Sequence, residues 1–135
     1  MLLEATAAVA AAVGSDLNRT TCLPVAEFEV LLRLSRTAEQ RVRMTELAAQ
    51  VGRSTSGLTR LVDRMEAAGL VRREACPTDK RGALAVLTER GGAVLAEALP
   101  DHLESLERHL AEPLGPDGLA EIERLLRRLR SCVLR

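Results

Sequence analysis

Residues 44–65, MTELAAQVGRSTSGLTRLVDRM, narrow most what this chain can become. ELAAQV reads as a short helix, with Thr45 placed to cap it and Glu46 near the positive end of its dipole. Gly52 ends that helix after barely two turns. Ser54 is an N-cap for a second helix running to about Ala68. Leu58, Leu61, Val62 and Met65 give it one apolar face at i, i+3, i+4 and i+7. Gly69 supplies a left-handed C-cap residue. Ala48 is small where two helices must cross closely. Helix, tight turn and helix at this spacing predict a helix-turn-helix.

The flanking chain is patterned as well. Two strand-like runs, residues 70–76 and 83–88, flank a turn-rich basic stretch at 77–82 and predict a hairpin. Upstream, residues 3–13 read as an Ala-rich helix, with stop and turn chemistry at Gly14, Ser15, Asp16 and Asn18. Pro24 suits the first position of a helix carrying Phe28, Leu31 and Leu32. Residues 37–41 (TAEQR) read as a loop. Downstream, Thr88 caps a long helix with Leu95, Leu99, Leu103, Leu106 and Leu110 on one stripe. Pro100 inside that stripe predicts a kink or a break. Residues 113–118 predict a loop, and a last helix carries Leu119, Ile122, Leu125, Leu126, Leu129 and Val133.

In a helix-turn-helix the second helix lies in the major groove with its N-terminal residues on base edges. The outward face here is rich in hydroxyls and arginine, groups that hydrogen-bond bases and phosphates. Candidate DNA-contacting residues are Arg53, Ser54, Thr55, Ser56, Thr59, Arg60 and Arg64, with Arg73, Asp79, Lys80 and Arg81 on the hairpin. Arg81 at the hairpin tip suits a narrow minor groove, where negative potential is enhanced. Asp63 is expected to orient an arginine, and Asp79 to brace the hairpin or Arg72 or Arg73.

A formal net charge of zero argues at first against nucleic acid. By segment the picture differs. Residues 1–40 and 92–135 each carry −2, while residues 41–91 hold ten basic and six acidic residues, net +4. The positive charge lies where the helix-turn-helix and hairpin lie, an electrostatic footprint for phosphate. One aromatic residue, Phe28, argues against modules that stack bases on aromatics. No Gly-rich phosphate loop, G-x-S-x-G or metalloprotease His pair is present, so neither an enzyme nor a cofactor is expected.

Cys22, Cys76 and Cys132 are too far apart for a zinc-finger spacing and fit reduced thiols in a cytoplasm. The N-terminus lacks the basic region of a signal peptide, and its apolar run is too short to span a bilayer. A cytoplasmic protein with no membrane partner is the expectation. His102 and His109, seven apart on one helix face, read as surface histidines on an acidic helix rather than metal ligands.

LPVAEFEVLLRLS, the 44–91 stretch and the helical end together resemble the multiple-antibiotic-resistance regulators, the MarR family. Asp79-Lys80-Arg81 is similar to that family's Asp-x-Arg wing signature. The resemblance covers roughly residues 17–134. It implies a mainly α fold with a small β-hairpin wing, a winged helix-turn-helix with a helical dimerisation region from both termini. It implies a homodimer on double-stranded DNA, most often a repressor released by a small ligand or oxidant. Two-fold symmetry then sets two recognition helices about 34 Å apart on a pseudo-palindromic operator. The expected division is residues 1–36 for dimerisation and support, 37–91 for DNA binding, and 92–135 for dimerisation. Two long amphipathic helices and an Ala-rich start exceed what one small winged helix can bury. The segment before Leu17 is short for the family, which predicts a curtailed first helix. Some members sense hydroperoxides through an N-terminal cysteine assisted by tyrosines. Cys22 is therefore the redox candidate, in a chain without tyrosine. The alternatives are a winged-helix module that binds protein and a small-molecule sensor without specific DNA binding.

Overall fold

The structure, a computed structural model, describes residues 1–133, with Val133 described by its backbone alone. Helix α1 spans Leu2–Thr20, so the expected stop at Gly14 is corrected. Gly14 is a contact residue instead. A Cβ there would stand 3.3 Å from a Val25 methyl, so its smallness brings α1 close to the next helix. Pro24 is the N-cap of α2 (Val25–Ser35) rather than its first residue, with ψ 142°.

Residues 37–41 are not all loop. Gln40 turns the chain at φ 53°, and β1 (Arg41–Arg43) follows. Its burial alternates about a single inward residue, Val42. Three residues are too short a run for strand periodicity to show. Extended Arg43 leads straight into α3 (Met44–Gln50), so Thr45 lies inside the helix and does not cap it. Gly52, at φ 64°, makes the expected turn. Helix α4 (Thr55–Ala67) begins on the expected cap, the Ser54 hydroxyl accepting from the Gly57 N–H at 3.1 Å. Gly69, at φ 74°, then ends the helical segment as expected.

Strands β2 (Val71–Cys76) and β3 (Asp79–Leu87) form the hairpin. The sheet is antiparallel in the order β1-β3-β2, one strand more than the hairpin expected. The turn is Pro77-Thr78 alone. Cys76 pairs with Asp79 and Ala75 with Ala83, so residues 80–82 bulge out of the ladder.

Leu31, Leu34, Leu47, Leu58, Leu61 and Met65 are fully buried where α2, α3 and α4 meet the sheet. Each such side chain stabilises the fold by roughly 1.5–3 kcal/mol relative to exposure. Recognition-helix candidate α4 is thus held rigidly by its apolar face, leaving the other face to solvent.

Helix α5 (Glu89–Leu106) is capped by Thr88 as expected, its hydroxyl accepting from the Gly91 N–H at 3.0 Å. It runs through Pro100 unbroken. Pro100 and Ala96 are exposed, so the carbonyl left without its donor faces water. The irregularity comes later, as a π-turn over Glu107–Ala111. The expected 113–118 loop shrinks to one non-helical residue, Gly115 (φ 64°, ψ 174°), inside α6 (Glu112–Val133). Helix α1 packs along α5, whereas the main neighbour of α6 is the π-turn that leads into it.

Candidate nucleic-acid interface

Helix α4 and the wing bring most of the candidate residues to two exposed patches. Arg53, Ser54, Thr55, Ser56, Thr59, Arg60 and Arg64 are all exposed, at the start of α4 and along its outer face. The turn before α4 is fixed by the Arg53 N–H donating to the Ala48 carbonyl at 2.9 Å. Ser54 is spent partly on its cap, and the Thr59 hydroxyl donates to the Thr55 carbonyl at 2.9 Å. Thr55 and Ser56 stand on the first turn, where unpaired backbone N–H groups favour an anion.

The arginines divide by partner. Arg53, Arg60, Lys80 and Arg81 have no salt bridge and no side-chain hydrogen bond among the described residues, and Arg64 reaches only the Arg60 carbonyl at 3.5 Å. Their charges are free for phosphate or guanine. Arg41 and Arg72, by contrast, both pair with Glu74 on β2.

Arg73 is engaged more fully still. Its guanidinium donates to Asp63 at 2.7 Å, to Glu66 at 2.8 Å and to the Thr59 carbonyl at 3.2 Å. Asp63 thus orients an arginine, as expected, and Glu66 also accepts from the Arg73 N–H at 2.9 Å. This clamp fixes the wing against α4. Asp79 braces the hairpin, accepting from the Arg81 N–H at 3.0 Å, and pairs with neither Arg72 nor Arg73 among the described residues. The Arg43 guanidinium donates to the Thr78 hydroxyl at 2.7 Å and ties β1 to the hairpin turn. No local signal marks that contact, because Arg43 belongs to β1, a strand too short for its pattern to show.

A model of the MarR family matches residues 23–82. Over 107 residues the chain is 31% identical to the multiple antibiotic resistance protein MarR of Escherichia coli K12, covering 79% of this chain and 73% of that one. The chain belongs to the MarR family. MarR-family proteins are winged helix-turn-helix, DNA-binding transcriptional regulators, and the family is not one of enzymes. The solved structure of AbsC, a MarR-family regulator from Streptomyces coelicolor, aligns with TM-score 0.83 and 35% identity over 97% of this chain and 88% of AbsC. Sco3205 from the same organism, solved in complex with DNA, aligns with TM-score 0.84 and 30% identity over 99% of this chain and 84% of its own. The chain spans 57% of the length of the Bacillus subtilis regulator MhqR.

Two histidines and the cysteines lie outside the DNA-facing candidates. Neither histidine is a free surface group. His102 packs its ring 4.6 Å from that of Phe28, and burial, with Arg36 nearby, pushes its pKa down. His109 Nε2 stands 2.9 Å from an Asp16 carboxylate oxygen. Among the described residues no group of three or more His, Cys, Asp or Glu is placed to hold a metal ion. Likewise, no helix described is long and apolar enough to cross a membrane. Cys22 is exposed in the link between α1 and α2, and Cys76 is buried at the end of β2, beside the hairpin turn. The Thr78 hydroxyl 3.4 Å from the Cys76 sulfur lowers the pKa of that thiol.

Asp16, expected in a turn, is instead a buried carboxylate. Bonds from the Ser105 hydroxyl, His109 and Arg19 hold its pKa well below the usual carboxylate range, against the opposing effect of burial. A carboxyl lowered in the folded chain stabilises it above the unfolded value of about 4, and that contribution is lost as pH falls below it. The thermal midpoint should therefore fall more steeply from pH 5 to pH 3 in the parent than in Asp16→Asn. Equal slopes would remove Asp16 from the acid response.

Proposed function

We propose that this chain is a homodimeric repressor that grips a pseudo-palindromic operator with α4 in the major groove and the wing alongside. The observation that carries the DNA contact is the set of unpartnered cations on α4 and the wing, beside neighbouring arginines already neutralised by glutamate and aspartate. In this reading Arg53, Arg60, Arg64, Lys80 and Arg81 meet DNA, with Ser54, Thr55, Ser56 and Thr59 at base edges and phosphates. Arg73 and Asp79 hold the geometry. Residues 37–91 serve as the DNA-binding unit, and residues 1–36 and 92–135 as the dimerising flanks. The E. coli MarR structure with operator DNA, 26% identical with TM-score 0.77, supports the same use of the fold.

The dimer rests on surface area. The chain exposes 9225 Å². A compact monomer of 14.6 kDa exposes roughly 6900 Å². The excess, roughly 2300 Å², is of the size an obligate homodimer buries per subunit. It is apolar where it matters. Ile122, Leu125, Leu126 and Leu129 on α6 are 38% to 50% exposed, and Leu103 on α5 is 60% exposed. With α1 and α2, the four α6 residues line one cleft of about 770 Å³. A second copy offers the same stripe in return, as two-fold symmetry requires. A small ligand held against that cleft, or an oxidant acting at Cys22, is the release signal in this reading.

A mobility shift on DNA upstream of the chain's own gene tests the function. Binding should appear at low salt and weaken steeply as salt rises. Arg60→Ala and Arg81→Ala should each weaken it by roughly 1–3 kcal/mol. Unchanged affinity in both would take these residues off the DNA, and no salt-sensitive binding at all would remove the function.

A further inference from the structure

The interior of the described residues is apolar with two buried polar exceptions, Asp16 and Ser105. They are bonded to each other across 89 residues of sequence, the Ser105 hydroxyl donating to Asp16 Oδ2 at 2.7 Å. That carboxylate has further partners. His109 Nε2 stands 2.9 Å from Oδ2, Arg108 donates to it at 3.5 Å, and Arg19 on α1 pairs with Oδ1. An ionised carboxylate only accepts, so His109 carries its proton on Nε2 in this bond.

The node sits where the helical path changes period. Arg108 and His109 belong to the π-turn, and Ser105 lies just before it. A π-turn inserts one residue into the helix, and each residue turns an α-helix by about 100°. Without it, everything downstream would be rotated by about that angle, including the Ile122–Leu125–Leu126–Leu129 stripe. Intrahelical bonding favours the regular helix, so something outside the helix must hold the extra residue. Asp16 is that outside group: Ser105, Arg108 and His109, at i, i+3 and i+4, all converge on it.

We propose that Asp16 is a positioning residue: its carboxylate latches the π-turn to α1 and thereby aims the α6 stripe at a second copy of the chain. The aim toward a second copy rests on the dimer reading above, whereas the latch itself does not.

Amide hydrogen exchange on the full chain tests the latch, with Asp16→Asn as the variant. Protection at Ala111, Glu112 and Leu114 should fall at least tenfold, while Leu61 and Val62 in α4 keep theirs. A purely structural role lowers both sets together. An unchanged ratio between the sets overturns the proposal. Ser105→Ala, which removes one donor and leaves the carboxylate, is read in the same way if Asp16→Asn does not fold. Sedimentation of the same samples reads the aim, and the dimer dissociation constant should rise at least tenfold. Lost π-turn protection with an undisturbed dimer overturns the aiming role. A parent that sediments as a monomer counts against the dimer reading, and the exchange ratio still decides the latch.

Discussion

The double variant Leu125→Glu/Leu129→Glu is expected to sediment as a folded monomer and to bind DNA about 100-fold or more weakly than the parent. Both leucines are half-exposed on α6 in the single chain, so charging them removes little that holds the chain itself together. Glutamate is a good helix former, which keeps α6 helical. In a dimer these positions face apolar partners, and a buried carboxylate without a partner is strongly unfavourable. The loss on DNA follows from linkage between two half-sites. Once one recognition helix is seated, the second binds at an effective concentration in the millimolar range, and a monomer forfeits that gain. Far-ultraviolet circular dichroism should be near that of the parent, and sedimentation equilibrium should show one species of chain mass. A variant that remains dimeric and binds like the parent would place the interface elsewhere.

Gly91→Ala is expected to destabilise the chain by on the order of 3 kcal/mol. Gly91 is buried in the first turn of α5. A Cβ at this position would stand 2.0 Å from the Leu70 carbonyl oxygen and 3.0 Å from a Leu87 methyl. The nearer atom is backbone, so no rotamer change relieves the clash. The cost reaches the DNA surface because this corner joins three parts. The Thr88 hydroxyl accepts from the Gly91 N–H and lies 2.7 Å and 2.9 Å from the Gly69 and Leu70 carbonyls. Its single proton serves one carbonyl at a time. The end of α4, the start of β2 and the start of α5 are thereby locked together. Chemical denaturation should show a lower midpoint in the variant, and unchanged stability would mean that the corner opens at little cost.

What was legible in the sequence was what neighbouring residues decide. Gly52, Gly69, Ser54 and Thr88 declared their turns and caps because left-handed backbone and N-capping are local chemistry. The apolar period of Leu58 to Met65 placed α4 and left its hydroxyl- and arginine-rich face outward. Misreadings came where distant residues decide. Gly14 and Asp16 look like a stop signal, yet Val25 and Ser105 draw them into a continuous helix. β1 exists because β3 pairs with it, which no three-residue pattern can announce. Thr45 lost its cap to the strand in front of it. The two histidines read as surface groups because nothing nearby in sequence reveals Phe28 or Asp16 as their neighbours. Arg73 shows the limit of reading a charged face: its residue type suits phosphate, and its position satisfies it with Asp63 and Glu66.

In the proposed function the free cations of α4 and the wing, carried on a two-fold dimer, read DNA. Selection from a random duplex library by the parent chain, followed by affinity measurement with the parent and with Arg60→Ala/Arg81→Ala, tests it most directly. An enriched pseudo-palindrome is expected, with half-site centres about 10–10.5 base pairs apart. Strong salt dependence is expected too, with a loss of roughly 2–6 kcal/mol in the double variant if the two contacts add. A library with no enriched sequence, or one bound equally by parent and variant, would contradict it.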